Sequence, residues 1–238
     1  MNFTTNLNPT DAENFQRAIE IYTTNPPHEK LLDLIKTGTV VEKQTSILLL
    51  DTLNSEKDAE ILISNLTGQD GKVREAVSFK LKELLKKDGM LKFFNNPDYA
   101  LILFDGALDI NGNICRNSIN IMKNFKTNAD FVEKLIPKLT DTINKLLDKI
   151  KDFDIQEGKY KVNNEIFKLY WAMEVMYEFI DFIELNDIKC ILQLTSKVED
   201  YTIREKTAKI LSKNFADEQL SKLKQTLRRD KNYYVRRF

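Results

Sequence analysis

The sequence predicts an all-α fold of paired, antiparallel helices, and three observations support this prediction. Apolar residues recur at spacings of three and four along almost the whole chain, which is the helical period. The alternation of apolar and polar residues that is typical of strands is absent over any useful length. Only 7 Gly and 5 Pro occur among 238 residues, as expected where long helices are joined by short turns.

Residues that favour turns divide the chain into the predicted helices. The first helix is predicted to begin at Thr10, because Thr10 and Glu13 match the capping box, in which each side chain bonds a free backbone N–H. Connections as short as Asn54-Ser55 pack neighbouring helices antiparallel. The predicted helices span residues 10–22, 27–36, 40–53, 56–66, 71–86, 97–108, 112–125, 129–150, 163–184, 187–195, 200–214 and 216–228, and a last segment after Asp230 covers barely two turns.

The amino-acid composition excludes several classes of protein. The 36 basic and 36 acidic residues give a formal net charge of zero, so the chain as a whole does not imply a strongly charged partner. Two cysteines, Cys115 and Cys190, are too few for a disulfide framework, and we expect both to be buried in a reducing compartment. The chain begins without a signal-peptide pattern and has no apolar run that could span a membrane, which predicts a cytoplasmic protein.

A short pattern recurs where the second helix of several predicted pairs begins. An Asp or Asn is followed by an aliphatic residue and then by an Arg nearby, as in Asp70, Val73 and Arg74. An Asp in this position can accept hydrogen bonds from the free N–H groups of the helix, and its charge suits the positive end of the helix dipole. The aliphatic markers are separated by 32, 41, 52, 37 and 32 residues, which is typical of helix-pair repeats; they are Val41, Val73, Ile114, Ile166, Ile203 and Val235.

This pattern resembles that of HEAT repeats and of the related lyase-associated HEAT-like repeats, which are armadillo-like helical proteins. The resemblance implies a right-handed α–α superhelix, or solenoid, of about five to six helix pairs. Residues 1–238 would form a single repeat domain, with 1–26 as an N-terminal capping helix and 27–238 as the repeats. In such repeats an Asp caps the helix, an aliphatic residue packs in the core and an Arg ties one repeat to the next. These roles would fall to Asp70, Asp200 and Asp230, to Val73, Ile203 and Val235, and to Arg74, Arg204 and Arg236, respectively.

No constellation of residues suggests catalysis, a metal site or a cofactor. The single histidine, His28, is expected at an exposed helix start, and no His/Cys/Asp cluster has zinc spacing. Asp58 belongs to a group of carboxylates near one turn, which we interpret as a solvated helix cap. Two HEAT-like families do catalyse reactions, the alkylpurine DNA glycosylases and the bilin lyases. The former use a Trp-rich basic cleft, whereas this chain has one Trp, and nothing here indicates a bilin site.

The predicted helix at 163–184 is apolar around most of its circumference. A helix of this kind is buried on nearly every side, or it buries one side against a partner. One interpretation is a central strut that packs on both of its neighbours. The other is an interface, since aromatic residues and Met are enriched in interface cores. The candidate partner contacts are Tyr170, Trp171, Met173 and Tyr177.

The charges are distributed unevenly along the chain. Residues 1–70 contain 5 basic and 11 acidic side chains, whereas residues 202–238 contain 11 basic and 4 acidic ones. Basic residues interleaved with aromatic ones can bind phosphates and stack on bases. The basic end is compatible with a solvated surface, an acidic protein partner or nucleic acid, and the opposite charges allow weak head-to-tail self-association. Its candidate contacts are Arg228, Arg229, Tyr233, Tyr234, Arg236 and Arg237.

The sequence therefore favours a non-catalytic interaction scaffold that binds a protein partner on a concave helical face. The alternative is a HEAT-like solenoid that binds nucleic acid through its basic C-terminal end. The repeat pattern does not choose between these functions, because one fold serves many partners.

Overall fold

The structure, a computed structural model, describes residues 9–151, 159–213 and 215–238. Within these ranges the secondary structure consists of α-helices and short 3₁₀ segments, without any β-strand. The prediction of an all-α fold is therefore confirmed.

Backbone contacts divide the chain into an N-terminal unit, Met1–Ile102, and a C-terminal unit, Leu103–Phe238. The helices of the N-terminal unit are α1 (Pro9–Thr24), α2 (His28–Thr37), α3 (Val40–Leu49), α4 (Glu56–Ile63) and α5 (Gly71–Leu84). The division falls within α6 (Tyr99–Ala107). The C-terminal unit continues with α7 (Gly112–Met122), α8 (Ala129–Lys151), α9 (Lys159–Phe179), α10 (Leu185–Thr195), α11 (Tyr201–Leu211), α12 (Glu218–Leu227) and α13 (Tyr233–Arg236).

Each predicted helix has a counterpart, but several ends differ. The helix predicted at 40–53 ends at Leu49, because the backbone of Leu50 is extended. The aromatic helix begins at Lys159 rather than at residue 163, and it ends at Phe179, where a 3₁₀ segment follows. The last two turns after Asp230 contain the short helix α13, whose Val235 is buried and which packs on α11.

The capping box that was predicted at Thr10 is found at a different helix. Thr10 lies inside α1, so its side chain is not at the N-cap position. The box is formed instead by Thr39 and Glu42 at the start of α3. The Thr39 N–H donates to Glu42 Oε2 over 2.9 Å, and Arg17 of α1 donates to the other carboxylate oxygen over 2.8 Å. Glu42 thus both caps α3 and joins α1 to it.

The long helices of the C-terminal unit are built around α9. The buried side chains of α8 recur at helical spacing along one face, and this face packs on α9. α11 also packs on α9, and α13 covers part of α11. The apolar residues of α8 that are buried are Phe131, Leu135, Leu139, Ile143, Leu146 and Leu147.

The two cysteines have different environments. Cys115 is buried in α7 and its thiol donates to the carbonyl of Asp109 over 3.0 Å. Burial, together with the nearby Asp109 carboxylate, raises the pKa of this thiol to about 12. The expectation that Cys190 is also buried is wrong, because this side chain lies on the exposed side of α10.

The partly buried His28 and the buried Asp58 form a polar contact in the N-terminal unit, contrary to the expectation of an exposed histidine and a solvated carboxylate. His28 Nε2 lies 2.7 Å from Asp58 Oδ2, which joins the start of α2 to the first turn of α4. The Asn54 N–H and the Ser55 hydroxyl donate to the same carboxylate over 2.8 and 2.6 Å. The sequence did not reveal this contact because 30 residues separate the two side chains.

The hydrogen bonds of Asp58 outweigh the effect of its burial. Burial alone raises the pKa of the carboxyl, but Ser55, Asn54 and His28 stabilise its charged form and lower the pKa overall. A carboxyl with a lowered folded-state pKa stabilises the fold fully above its usual pKa near 4. This stabilisation is lost as the pH falls through the lower folded-state value.

We predict that Asp58→Asn destabilises the N-terminal unit by about 2 kcal/mol, because the amide cannot accept all of these hydrogen bonds. Hydrogen exchange of the α2 and α4 amides measures the loss at pH 7, and the difference between the variant and the native protein should shrink below about pH 4. Glu60→Gln, at an exposed position of the same helix, is the matched control. Equal protection in the two variants would contradict the role of Asp58.

Candidate binding surfaces of the C-terminal unit

The same capping contact recurs at the start of several of the described helices. The side chains of Asp70, Asp200 and Asn232 accept the backbone N–H two residues further on, over 2.8, 2.8 and 2.9 Å. Asn111 does the same at the start of α7, over 2.9 Å. These side chains satisfy N–H groups that have no partner within the helix.

The aliphatic residue three positions after each cap is buried in the core. Val73, Ile203 and Val235 expose 1% of their surface or less, and Ile114 exposes none. Burial of such a side chain contributes about 2 kcal/mol. This residue therefore anchors the first turn of its helix, which is the packing role that the HEAT-like resemblance implied.

The arginine four positions after the cap turns back to the loop that precedes its helix. Arg74 donates to the carbonyl of Gln69, one residue before the cap. Arg204 donates to the carbonyls of Val198 and Glu199 over 2.9 and 2.5 Å. Arg236 donates to the carbonyls of Asp230 and Lys231 over 3.2 Å each. We call the combination of cap, buried aliphatic residue and arginine the helix-entry turn.

Asp230 has a different role from the predicted one. The cap of α13 is Asn232, so the spacing of the third helix-entry turn matches the other two only when it is counted from Asn232. Asp230 instead accepts two hydrogen bonds from Arg204, over 2.7 and 3.2 Å, and one from the Asn232 N–H over 2.7 Å. Arg204 thereby joins the helix-entry turn of α11 to the next one. This ion pair is the main cause that lowers the pKa of Asp230.

The buried side chains of α9 pack within the C-terminal unit. Met173 is fully buried, so the prediction that it contacts a partner does not hold for this side chain. Its buried neighbours on α9 are Leu169, Ala172, Val175, Met176 and Phe179. This burial favours the interpretation of the aromatic helix as a central strut.

Two lysines of α11, together with Lys213 just after this helix, cover the two half-buried tyrosines of α9. The Lys206 ammonium lies 4.2 Å from the ring centroid of Tyr170. Those of Lys209 and Lys213 lie 4.1 and 4.3 Å from the ring centroid of Tyr177. Cations above aromatic faces are attracted by the ring electrons, so both rings already have partners within the unit.

Glu174 of α9 lies between these tyrosines and fixes the lysines. Its carboxylate pairs with Lys206 and, over 2.8 Å, with Lys209. Burial alone raises the pKa of Glu174, but the two lysines lower it overall, so the carboxylate is held in its charged form. On the side of α9 that faces α11, Glu174 and the two tyrosine rings thus all have lysine partners.

Trp171 is half-buried among other aromatic side chains. Its ring meets Tyr170 and Phe167 edge to face, at centroid distances of 5.4 and 6.2 Å. Its indole N–H is buried and has no hydrogen-bond partner within the part of the chain that the structure describes. Tyr170, Trp171 and Tyr177 are therefore partly buried, within or beside the packed strut.

An exposed aromatic cluster is found at α13 instead. Tyr201, Tyr233 and Tyr234 are 41%, 64% and 51% exposed, and the ring of Tyr234 lies 6.2 Å from that of Tyr201 and 5.8 Å from that of Tyr233. Arg236 and Arg237 lie over the rings of Tyr233 and Tyr234, at 5.9 and 5.5 Å. We call these five residues the tyrosine–arginine surface.

The structure brings together some of the predicted basic contacts and not others. Tyr233, Tyr234, Arg236 and Arg237 share the tyrosine–arginine surface. Arg228 and Arg229 are exposed at the C-terminal end of α12, and no contact among the described residues joins them to the tyrosines. Tyr201 was missed in the sequence because it follows the cap Asp200 and lies 32 residues from Tyr233.

Next to this surface is an apolar groove of about 970 Å³. Its partly exposed aliphatic side chains come from α8, α9, α10 and the loop after α10; they are Ile150, Ile166, Leu194 and Val198. Lys151, Lys197 and Lys231 lie at its edge, and Tyr201 belongs to both the groove and the tyrosine–arginine surface. The sequence did not predict the groove, because its walls come from four separate segments.

The described residues contain no group of three or more His, Cys, Asp and Glu side chains arranged to hold a metal ion. Among the described helices, none has the length and apolar character needed to cross a membrane. No protein-family model matches this sequence, and a search of curated proteins found no match.

We predict that Arg204→Lys destabilises the C-terminal unit by about 3 kcal/mol. An ammonium group cannot form all the hydrogen bonds that the planar guanidinium donates to Asp230 and to two backbone carbonyls. Trp171 is the single Trp of the chain and lies in this unit, so its fluorescence during urea unfolding reports the change. The exposed Arg228→Lys is the control and should leave the midpoint unchanged. Equal midpoints for the two variants would contradict the contribution assigned to Arg204.

Proposed function

We propose that this protein is a non-catalytic interaction scaffold that binds a protein partner through the tyrosine–arginine surface of its C-terminal unit. The observation that carries the proposal is the exposure of three neighbouring tyrosines beside arginines. Tyr and Arg are enriched among the residues that dominate binding energy, because they combine a large contact area with directed polar groups. This proposal places the partner at α13 rather than along α9.

We propose that the helices form a HEAT-like α–α solenoid of about five to six pairs. The repeated helix-entry turn supports this architecture, because the same three contacts occur at α5, α11 and α13. The helix α13, whose Val235 is buried, packs on α11, while Tyr233 and Tyr234 stay accessible.

The charge of the basic end suggests the chemistry of the partner. Residues 202–238 contain 11 basic and 4 acidic side chains, which favours an acidic protein surface in the cytoplasm. A second copy of the chain could supply weak head-to-tail contacts through its acidic residues 1–70. Opposite charges steer association, but they contribute less to affinity than the buried anchors do.

Nucleic acid is the second candidate for the same surface. Exposed tyrosine rings can stack on unpaired bases, and the arginines can neutralise phosphates. This candidate predicts an affinity that falls steeply with salt concentration, since counterions are released on binding. Binding to an acidic protein depends less on salt when tyrosines contribute most of the energy.

We predict that a photo-crosslinking amino acid in place of Tyr233 captures one discrete protein in cells, whereas the same group in place of Tyr22 does not. Tyr22 is 69% exposed in the N-terminal unit and is the matched control. With that partner purified, Tyr233→Ala combined with Tyr234→Ala should weaken binding at least about tenfold, as expected for two interface anchors. Tyr22→Ala should bind like the native protein.

Two results would contradict the proposal. Capture of the same proteins at both positions would mean that the tyrosine–arginine surface is not a specific site. Salt-dependent binding of single-stranded RNA or DNA oligonucleotides that is lost in the double tyrosine variant, without a captured protein, would favour the nucleic-acid function instead.

A further inference from the structure

The apolar groove has the size and lining of a small-molecule site. Its volume of about 970 Å³ lies within the range of ligand pockets, roughly 300–1,000 Å³. Ile150, Ile166, Leu194 and Val198 are all partly exposed in it. Apolar side chains that converge in a concave site are suited to an apolar group that is removed from water on binding.

Three lysines lie at the edge of the groove, namely Lys151, Lys197 and Lys231. Lys197 and Lys231 form no ion pair with any residue that the structure describes. Lys151 pairs only weakly with Asp148, over 3.4 Å, and both side chains are exposed. Lys231 lies beside Asp230 and helps to lower the pKa of that carboxyl, although the carboxylate is paired with Arg204.

The acidic groups of the groove are mostly engaged. The Asp200 carboxylate accepts the N–H and the hydroxyl of Thr202, over 2.8 and 2.6 Å. Arg204 is neutralised by Asp230. Glu199 and Asp200 are the two carboxylates among the described residues that line the groove, so three lysines face two carboxylates there.

The arrangement of the aliphatic residues favours a compact ligand over a helical peptide. A bound helix needs a line of anchoring sites at the spacing of successive turns. Here the aliphatic side chains come from the end of α8, from α9, from α10 and from the loop after α10, and they converge on one patch. A single apolar chain fits this patch better than a row of side chains does.

We propose that this groove binds a small amphiphilic anion, with its apolar chain on Ile166, Leu194 and Val198 and its anionic head at Lys197 and Lys231. The site is distinct from the protein contact proposed above, although Tyr201 borders both. A bound anion would therefore lie beside the tyrosine–arginine surface and could change the affinity of a protein partner there.

Dodecanoate tests this proposal, with dodecylammonium as a ligand of the same chain length and opposite charge. Isothermal titration calorimetry is carried out on the full chain below the micelle concentration of either ligand. Dodecanoate should bind at least about tenfold more tightly than dodecylammonium, since only its carboxylate can form charge-assisted contacts with the lysines. Methyl NMR should place the largest shift changes at Ile150, Ile166, Leu194 and Val198.

The variant Lys197→Glu/Lys231→Glu should lose this preference, with dodecanoate affinity reduced about tenfold. Lys72→Glu/Lys86→Glu reverses two exposed charges of the N-terminal unit and should bind dodecanoate like the native protein. Circular dichroism verifies that both variants are folded.

Equal affinity for the two ligands, or equal loss in the two double variants, would overturn the proposal. So would shift changes at methyl groups outside the groove. If the groove methyl groups respond to an acidic amphipathic peptide but not to dodecanoate, the occupant is a protein segment and the small-anion inference is wrong. Loss of the protein partner in the tyrosine variants alone, with dodecanoate binding retained, separates this site from the proposed interaction surface.

Discussion

The organisation of the described helices depends on how their first turns are fixed. A helix leaves four N–H groups without partners at its start, and the loop before it leaves carbonyls unpaired. In the helix-entry turn one Asp or Asn accepts from the helix, while an arginine one turn later donates to the carbonyls of the loop. The buried aliphatic residue between them anchors both contacts in the core. These contacts hold the loop at a fixed angle to the helix that follows it.

This constraint explains why the exposed tyrosines and the groove lie around α13 in the C-terminal unit. Arg204 fixes α11, and the lysines of α11 in turn cover Tyr170 and Tyr177, so the aromatic side of α9 is closed by contacts within the unit. The same arginine orients Asp230 and the turn before α13. The short α13 seals α11 with Val235 and leaves its tyrosines outside. The groove is bounded by this turn and by the loop that Arg204 holds.

The sequence predicts the helices well, because their periodicity and turn residues are local signals. The caps Asp70 and Asp200 could also be predicted, since an Asp before an apolar helical pattern has few other roles. Asp230 was misassigned because Asn232, two residues later, fits the cap equally well and only the position of Arg236 decides between them. Three features could not be predicted: the contact between His28 and Asp58, the packing of lysines over the tyrosines of α9, and the groove. Each depends on contacts between segments that are far apart in sequence.

The mobility of the arginine guanidinium groups tests the central claim most directly. A guanidinium that is held by a carboxylate and two carbonyls rotates slowly about its C–N bonds, whereas a solvated one rotates freely. Nitrogen-15 NMR of arginine side chains should give separate, slowly exchanging Nη signals for Arg204 and, in the N-terminal unit, hindered rotation for Arg74. Arg228 and Arg229 should give averaged signals. Averaged signals for Arg204 and Arg74 as well would contradict the helix-entry turn as the constraint on which the fold depends.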